Sequence, residues 1–189
     1  MNDIDICSQA LIRLGSQPIQ SFDDSTVASQ IASNLYNNTR DFVFSIYPWR
    51  FTKRSLQLVK MLDKTDNSNY YFELPKDCIR LIQVSSVESS PLLIDYKING
   101  RKIFTTSNTV YIMYITAVDE IDFPIYFTQV LIDRLAMTFA IPLTQDSSLH
   151  YLHSKAFDIS FAHGRQIDSQ QDGLTVVQDN TLLHSRNKN

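Results

Sequence analysis

The sequence predicts an α+β protein: a mainly helical bundle of about four helices, with an antiparallel β-meander inserted between the second and third helices. Apolar residues recur at helical spacing near both ends of the chain, whereas the period changes to two from Thr52 to Val118. The length of 189 residues fits one domain with its own core. We expect a single domain over residues 1–170, with helices within 2–47 and 124–170 and a β insertion at 52–118, followed by a flexible C-terminal arm at 171–189.

The first helix is predicted to begin with Asn2 or Asp3 as N-cap and to end near Leu14. Gly15 follows at a natural stop, because glycine readily takes the left-handed conformation that ends many helices. The apolar residues at helical spacing are Ile4, Cys7, Leu11 and Leu14.

The second helix is predicted to begin after Ser25 as N-cap and to run to about Ile46. Pro48 ends it, because the residue before a proline is disfavoured in the α region. Amide side chains such as Asn34 and Asn37 face away from the apolar side. The predicted apolar face consists of Ala28, Ile31, Ala32, Leu35, Phe42, Val43 and Ile46.

Short β-branched and aromatic runs fill the middle third of the chain. Asn99-Gly100 predicts a hairpin with a type I′ turn, because both central positions of that turn need positive φ. Val110–Val118 is apolar on both faces, which predicts a central strand covered on each side. The predicted strands are Ser55–Val59, Tyr70–Leu74, Ile79–Val84, Leu92–Ile98, Lys102–Thr106 and Val110–Val118.

Two further helices are predicted after the strands. The third opens at Pro124 as first helical residue and ends near Ile141, before Pro142. The fourth is capped by Asp146 and ends near Ile167. The predicted apolar faces are Phe127, Val130, Leu131, Leu135 and Phe139 on the third helix, and Leu149, Leu152, Ala156 and Ile159 on the fourth.

Few residues suggest catalysis or metal binding. His150 and His153 are three apart, but no HExxH or ExxH motif surrounds them, which favours ordinary surface or interface histidines. The carboxylate clusters at 23–24 and 119–122 sit where helix N-termini favour negative charge. We therefore predict no enzyme, metal or cofactor. A cell-wall hydrolase using Asp23 and Asp24 remains the enzymatic alternative.

A short basic stretch follows the second helix. Arg50, Lys53, Arg54 and Lys60 alternate with aromatic residues, a composition that can bind nucleic acid. The net charge of −3 and the pI near 5.7 argue against a surface that grips phosphates. Pairing with acidic neighbours, within the chain or across subunits, is the favoured interpretation. A nucleic-acid-binding module using Arg50, Lys53 and Arg54 remains the alternative.

The cysteines and the N-terminus indicate the compartment. Cys7 and Cys78 are far apart and lack the spacing of a redox or zinc motif, as expected for reduced cysteines. The N-terminus lacks the basic start and apolar run of a signal peptide, and no stretch of 18 uninterrupted apolar residues occurs. We expect a protein without a membrane segment that is made and assembled in a reducing cytoplasm.

Residues 14–51 are here called the corner segment. They contain, in this order, the predicted end of the first helix, an acidic turn, the amphipathic second helix and an aromatic stretch that follows it. A second notable stretch lies within 71–81. The residues that stand out are Ala10-Leu11, Leu14-Gly15, Pro18-Ile19, Phe22-Asp23-Asp24-Ser25, Ala28, Tyr36, Arg40-Asp41, Tyr47-Pro48-Trp49-Arg50-Phe51, Tyr71-Phe72-Glu73-Leu74-Pro75 and Asp77-Cys78-Ile79-Arg80-Leu81.

In this set and order, the chain resembles the head-to-tail adaptor family of short-tailed bacteriophages, also called tail tubular protein A-like or tail accessory factor proteins. The resemblance covers about Ile4 to Arg165. It implies a virion protein that forms a ring of twelve copies between the portal protein and the tail nozzle. Such a ring would extend the channel for double-stranded DNA without sequence-specific binding, and would help to retain the packaged genome.

The candidate interface residues come from the corner segment and the C-terminal arm. Tryptophan and arginine dominate interface hot spots. The apolar patches at 174–177 and 182–183 suit an arm that becomes ordered on a neighbouring subunit or on the portal. The candidates are Asp23, Asp24, Arg40, Trp49, Arg50, Leu174, Val176 and Leu182.

Overall fold

The computed structural model describes residues 1–61, 70–88 and 93–171, and it has the predicted α+β architecture. The described residues form four α-helices, and the strands lie between the second and the third. The helices are α1 (Asp3–Arg13), α2 (Val27–Ile46), α3 (Ile125–Thr144) and α4 (Ser147–Gln170), with short 3-10 helices at Arg50–Thr52 and Glu120–Asp122.

Helix α1 begins and ends as predicted. Asn2 is the N-cap: its side chain accepts a hydrogen bond from the Asp5 N–H, and the Asp5 carboxylate accepts one from the Asn2 N–H. At the other end Gly15 has a φ of +73°, and its N–H and that of Ser16 donate to carbonyls of the last turn. These bonds satisfy helix carbonyls that lack an intrahelical partner.

Helix α2 ends at Ile46 as predicted, but it begins one residue later than predicted, and one residue of its predicted apolar face is exposed. The N-cap is Thr26 rather than Ser25, because the Thr26 hydroxyl accepts the Ser29 N–H. Phe42, predicted on the apolar face, is 43% exposed, whereas Tyr36 and Phe44 are buried.

The β insertion is antiparallel and divides into two three-stranded sheets. One sheet has the order β1-β6-β3 and the other β2-β5-β4, so among the described strands only β4 and β5 are neighbours in both sequence and space. β6 is central, as predicted for its apolar run. The strands are β1 (Lys53–Gln57), β2 (Tyr70–Glu73), β3 (Cys78–Ser85), β4 (Lys97–Asn99), β5 (Lys102–Thr105) and β6 (Tyr111–Thr116).

The turn between β4 and β5 differs from the predicted type I′ turn. Asn99 pairs with Lys102, so the two central residues are Gly100 and Arg101 rather than Asn99 and Gly100. Gly100 has a φ of +59°, and neither Asn99 nor Arg101 has a positive φ. Glycine at the first central position alone is the pattern of a type II′ turn.

Helix α3 continues one turn farther than predicted. Pro124 is the N-cap rather than the first helical residue, and Pro142 lies inside the last turn. Proline removes one N–H there, but the turn still closes because the Gln145 N–H donates to the Ile141 carbonyl at 2.9 Å. Gln145 then reverses the chain in the left-handed conformation, with a φ of 56°.

Helix α4 is capped by Asp146 as predicted, but it buries a different face. Leu152 and Ile159, predicted to face the core, are each 60% exposed. The residues that are buried along the helix are His153, Phe157, Gly164 and Asp168.

Helix α3 is the centre of the main core, and it packs against α1, α2 and α4. Its predicted apolar face is buried throughout. A second, smaller core holds the two sheets together around Phe72, Ile103 and Ile112. None of the helices in residues 1–61, 70–88 and 93–171 combines the length and apolarity needed to cross a lipid bilayer.

Candidate functional site

Trp49, at the exit of the corner segment, closes the C-terminal end of α2. Its ring is fully buried, and its Nε1–H donates to the Val43 carbonyl at 2.8 Å. The last carbonyls of a helix lack intrahelical partners, and Pro48 has no N–H to offer them. Trp49 has no accessible surface with which to touch a second chain, so its role in this fold is to fix the corner rather than to act as an interface anchor.

The Trp49 ring lies among aromatic residues from α3, α4 and the corner itself. Its ring centroid is 4.8 Å from that of Tyr47, 5.3 Å from that of Phe127 and 5.9 Å from that of Phe161, each in an edge-on arrangement. Such arrangements are favourable for aromatic pairs. Gly164 of α4 lets the helix approach this cluster: a Cβ there would lie 2.9 Å from Val130 Cγ2.

Asp168 ties the corner segment to α4. It is 1% exposed, and its carboxylate accepts the Arg50 N–H at 3.2 and 3.3 Å and the Tyr126 hydroxyl at 2.7 Å. Burial, together with the hydrogen bond to Asp168, raises the pKa of Tyr126 above its ordinary range. The predicted candidate Arg50 therefore has its backbone held inside the subunit.

Arg40 joins α2 to the segment before α3. Its guanidinium donates to Glu120 at 3.0 Å and pairs with Asp41, and the Tyr36 hydroxyl donates to the same Glu120 oxygen at 2.9 Å. Burial works against the charged form of Glu120. The hydrogen bonds from its backbone, Tyr36 and Arg40 outweigh that effect and lower its pKa.

Asp24 has the predicted role of a turn residue. Its carboxylate accepts the backbone N–H groups of Gln20 at 2.9 Å and Ser21 at 3.1 Å, which fixes the loop before α2. Asp23 is exposed, and its backbone N–H donates to the Ser21 hydroxyl. Of the two carboxylates in the hydrolase alternative, one is thus engaged in local turn bonds.

A buried polar cluster joins α1, α3 and α4. Arg13 forms an ion pair with Asp133, which is 4% exposed and also accepts from Gln129 at 3.0 Å. His153 is 8% exposed, and burial and the nearby Arg13 lower its pKa.

His150 contacts the Met137 carbonyl at 2.9 Å, so neither predicted histidine is free on the surface. Within the described residues, no three His, Cys, Asp or Glu side chains converge as metal ligands.

The misassigned face of α4 leaves an apolar surface outside the core. Leu152, Ile159 and Ile167 are 60%, 60% and 44% exposed. Their positions, with Ala156 between them, fall on one side of the helix. Part of this α4 stripe borders an open groove of about 470 Å³ against α3.

Sequence reasoning missed Glu120, Gly164 and Asp168 as determinants of the corner. Glu120 bonds to Arg40, 80 positions away, and Asp168 bonds to Arg50, 118 positions away, and no local pattern reveals such contacts. Gly164 did carry a signal, because an isolated glycine within a helical pattern indicates a close approach of other groups.

The predicted arm beyond residue 171 lies outside the described residues, and so do its candidate interface residues Leu174, Val176 and Leu182.

No protein-family model and no curated protein matches the chain. The resemblance based on the corner segment and residues 71–81 therefore stays a prediction.

Proposed function

We propose that this chain is a non-enzymatic subunit of a phage head-to-tail connector. In this role it forms a ring beneath the portal protein, extends the DNA channel and offers a platform to the tail nozzle. The resemblance in the corner segment and residues 71–81 supports the proposal. Double-stranded DNA would pass through the ring without sequence-specific contacts, at the head–tail junction of the virion.

The use of the polar corner residues supports a structural role. The Arg40 and Glu120 side chains bond to each other, the Asp168 carboxylate bonds to Arg50 and Tyr126, and the Trp49 ring is enclosed. These contacts hold α2, α3 and α4 at fixed angles. A ring subunit needs that rigidity, because small angular errors accumulate around a closed ring.

The observation that carries the proposal is the exposed α4 stripe of Leu152, Ile159 and Ile167. Large contiguous apolar patches on a protein surface mark sites that bind other proteins. Helix α4 is held on its other side by the core residues Phe157 and Gly164. The stripe is therefore a fixed surface available for assembly.

Mass measurement of the purified protein, alone and with a portal ring, tests the proposal. We expect a ring of many copies in at least one of the two states. The double variant Leu152→Gln/Ile159→Gln should weaken assembly. The variant Asp158→Gln, at an exposed position of the same helix, is the control and should assemble as the wild type does. A protein that stays monomeric in both states would contradict the proposal.

A further inference from the structure

Strand β1 has an unpaired edge. It pairs with β6 and with no other described strand, and its residues from Arg54 to Gln57 are exposed. The Leu58 N–H donates to the Val110 carbonyl at 2.8 Å, so the residues that alternate with Leu58 also turn their backbone groups toward β6. The N–H and C=O groups of Ser55 and Gln57 therefore point away from β6, and no described residue bonds to them. We call this row of backbone groups the β1 edge.

The β1 edge is regular and lacks the cover that the opposite edge of the same sheet has. β1 pairs with β6 without a shift in register, whereas the pairing of β3 with β6 is interrupted. On the outer side of β3, the Ile94 N–H donates to the Val84 carbonyl, and Arg80 donates to the Ser45 carbonyl of α2 at 2.6 Å. A bare, regular strand edge can pair with any extended chain, so folded proteins usually cover such an edge.

Helix α4 ends beside the start of β1. The Asp168 carboxylate accepts the Arg50 N–H at 3.2 Å, and α4 ends at Gln170, two residues farther on. Arg50 begins the 3-10 helix that leads into Lys53, the first residue of β1. Three residues of a 3-10 helix rise by about 6 Å. The chain that follows α4 therefore starts close to the β1 edge of the same copy.

The direction of β1 decides how a strand from α4 would run. Lys53 pairs with Ile115, which belongs to the main core, whereas Gln57 pairs with Tyr111, next to Ile112 of the smaller core between the sheets. β1 thus leads away from the helices. A strand that starts at the end of α4 and follows the β1 edge is parallel to β1.

The sequence after α4 has the composition of a short strand. Residues 172–189 lie outside the described part of the chain. Within 174–177, Thr175, Val176 and Val177 are β-branched, and the turn-forming pairs Asp-Gly at 172–173 and Asp-Asn at 179–180 bound the run. The three residues from Gln171 to Leu174 span up to about 10 Å when extended. This length can bring the run to the start of β1.

The charges at the start of β1 match those of the arm. Lys53 and Arg54 form no ion pair with any residue that the structure describes. As neighbours in a strand they project to opposite faces of the sheet. Asp172, just before the β-branched run, would lie at this end of β1 in a parallel arrangement. The attraction between opposite charges favours this direction of the added strand.

We infer that residues 174–178 of the C-terminal arm add to the β1 edge of the same copy as a parallel strand. The backbone groups of Ser55 and Gln57 then bond to the arm, and β1 becomes an inner strand of its sheet. The arm protects the subunit from edge-to-edge aggregation before it assembles. This inference goes beyond the proposed ring function and does not depend on it.

Amide hydrogen exchange of the full-length protein, measured by NMR, tests the inference. The amides of Ser55 and Gln57 report on the arm, whereas those of Arg54 and Leu56 face β6 and report on the fold of the sheet. In the wild type all four amides should exchange slowly. The ratio of the two pairs is measured within one strand, so it is insensitive to global stability.

A pair of prolines in the arm should expose the edge. In Val176→Pro/Val177→Pro, the amides of Ser55 and Gln57 should exchange at least about tenfold faster, because proline lacks the N–H that a paired strand needs. Two adjacent prolines remove such a donor whichever side of the arm faces β1. The matched control Asn180→Pro/Thr181→Pro lies in the arm after the proposed strand and should exchange as the wild type does. Unchanged exchange at Arg54 and Leu56 establishes that each variant is folded.

Three results would overturn the inference. Fast exchange at Ser55 and Gln57 in the wild type means that the edge is bare and is guarded by Lys53 and Arg54 alone. Slow exchange that persists in Val176→Pro/Val177→Pro means that another segment covers the edge. Slow exchange that is lost on dilution means that the arm of a second copy supplies the strand, because pairing within one chain does not depend on concentration.

Discussion

The close approach of α4 to the core can be tested by adding a single methyl group. Gly164 is buried within α4, and a Cβ at this position would lie 2.9 Å from Val130 Cγ2 and 3.4 Å from the Trp49 ring. The first distance is shorter than real Cβ contacts, and the second is ordinary. Val130 has no exposed surface, and its β-branched side chain has little rotamer freedom with which to move away.

Two effects of opposite sign decide the result of Gly164→Ala. Alanine is favoured over glycine within a helix by about 1 kcal/mol. Overpacking a filled core is unfavourable by about 1–3 kcal/mol. We expect the clash to prevail, so that Gly164→Ala lowers the free energy of unfolding by about 1 kcal/mol, the difference of those two effects.

The effect of Gly164→Ala on the free energy of unfolding should change sign when the Val130 methyl groups that obstruct the new Cβ are removed. In a Val130→Ala background the new Cβ has space, so Gly164→Ala should raise the free energy of unfolding by about 1 kcal/mol. Urea unfolding of the two single variants and the double variant measures this non-additivity. Ala162→Gly, at an exposed position of α4, reports the helix preference alone. If Gly164→Ala stabilises the wild type by as much as Ala162→Gly destabilises it, α4 does not pack as closely as described.

Two further predictions concern buried polar groups. Trp49→Phe leaves the Val43 carbonyl without its donor, and should lower the free energy of unfolding by about 1–3 kcal/mol. Circular dichroism is the suitable probe, since Trp49 is the only tryptophan; an unchanged urea midpoint would contradict the prediction. Burial and Arg13 lower the pKa of His153 below its ordinary 6.5, so the unfolded chain binds the proton more readily. Stability should therefore fall as the pH drops below about 6.5, and His153→Gln should flatten that part of the pH profile; an identical profile in the variant would refute this role.

Elements with strong local signals were predictable from the sequence. The ends of α1 follow from Asn2 and Gly15, because capping depends on groups within a few residues of the helix terminus. The central position of β6 follows from its two apolar faces, since only a strand covered on both sides tolerates them. In the candidate site, the same local chemistry predicted that Asp24 serves the turn before α2.

The remaining elements were not predictable, two because a local turn took another conformation than the pattern indicated, and two because residues far apart in sequence come together. Pro142 remains inside α3 because a left-handed Gln145 and the Asp146 cap let the chain reverse after it. The hairpin places Gly100 one position earlier in its turn than the Asn-Gly pair suggested, because the pairing of Asn99 with Lys102 sets the register. The Arg40–Glu120 and Arg50–Asp168 links join residues that only the fold brings together.

The face of α4 was assigned incorrectly for a reason that bears on function. Hydrophobic periodicity identifies the side of a helix that avoids water, but it does not say whether the same chain or another chain covers that side. In α4 the inward positions hold Gly164 and Asp168, chosen for close approach and for a polar bond to the corner segment, while Leu152 and Ile159 point outward. In a monomer this arrangement leaves the apolar side chains of Leu152 and Ile159 in contact with water. Under the proposed ring function, the same arrangement separates residues that fix the fold from residues that would bind the next chain, so the misassigned face of α4 agrees with that proposal.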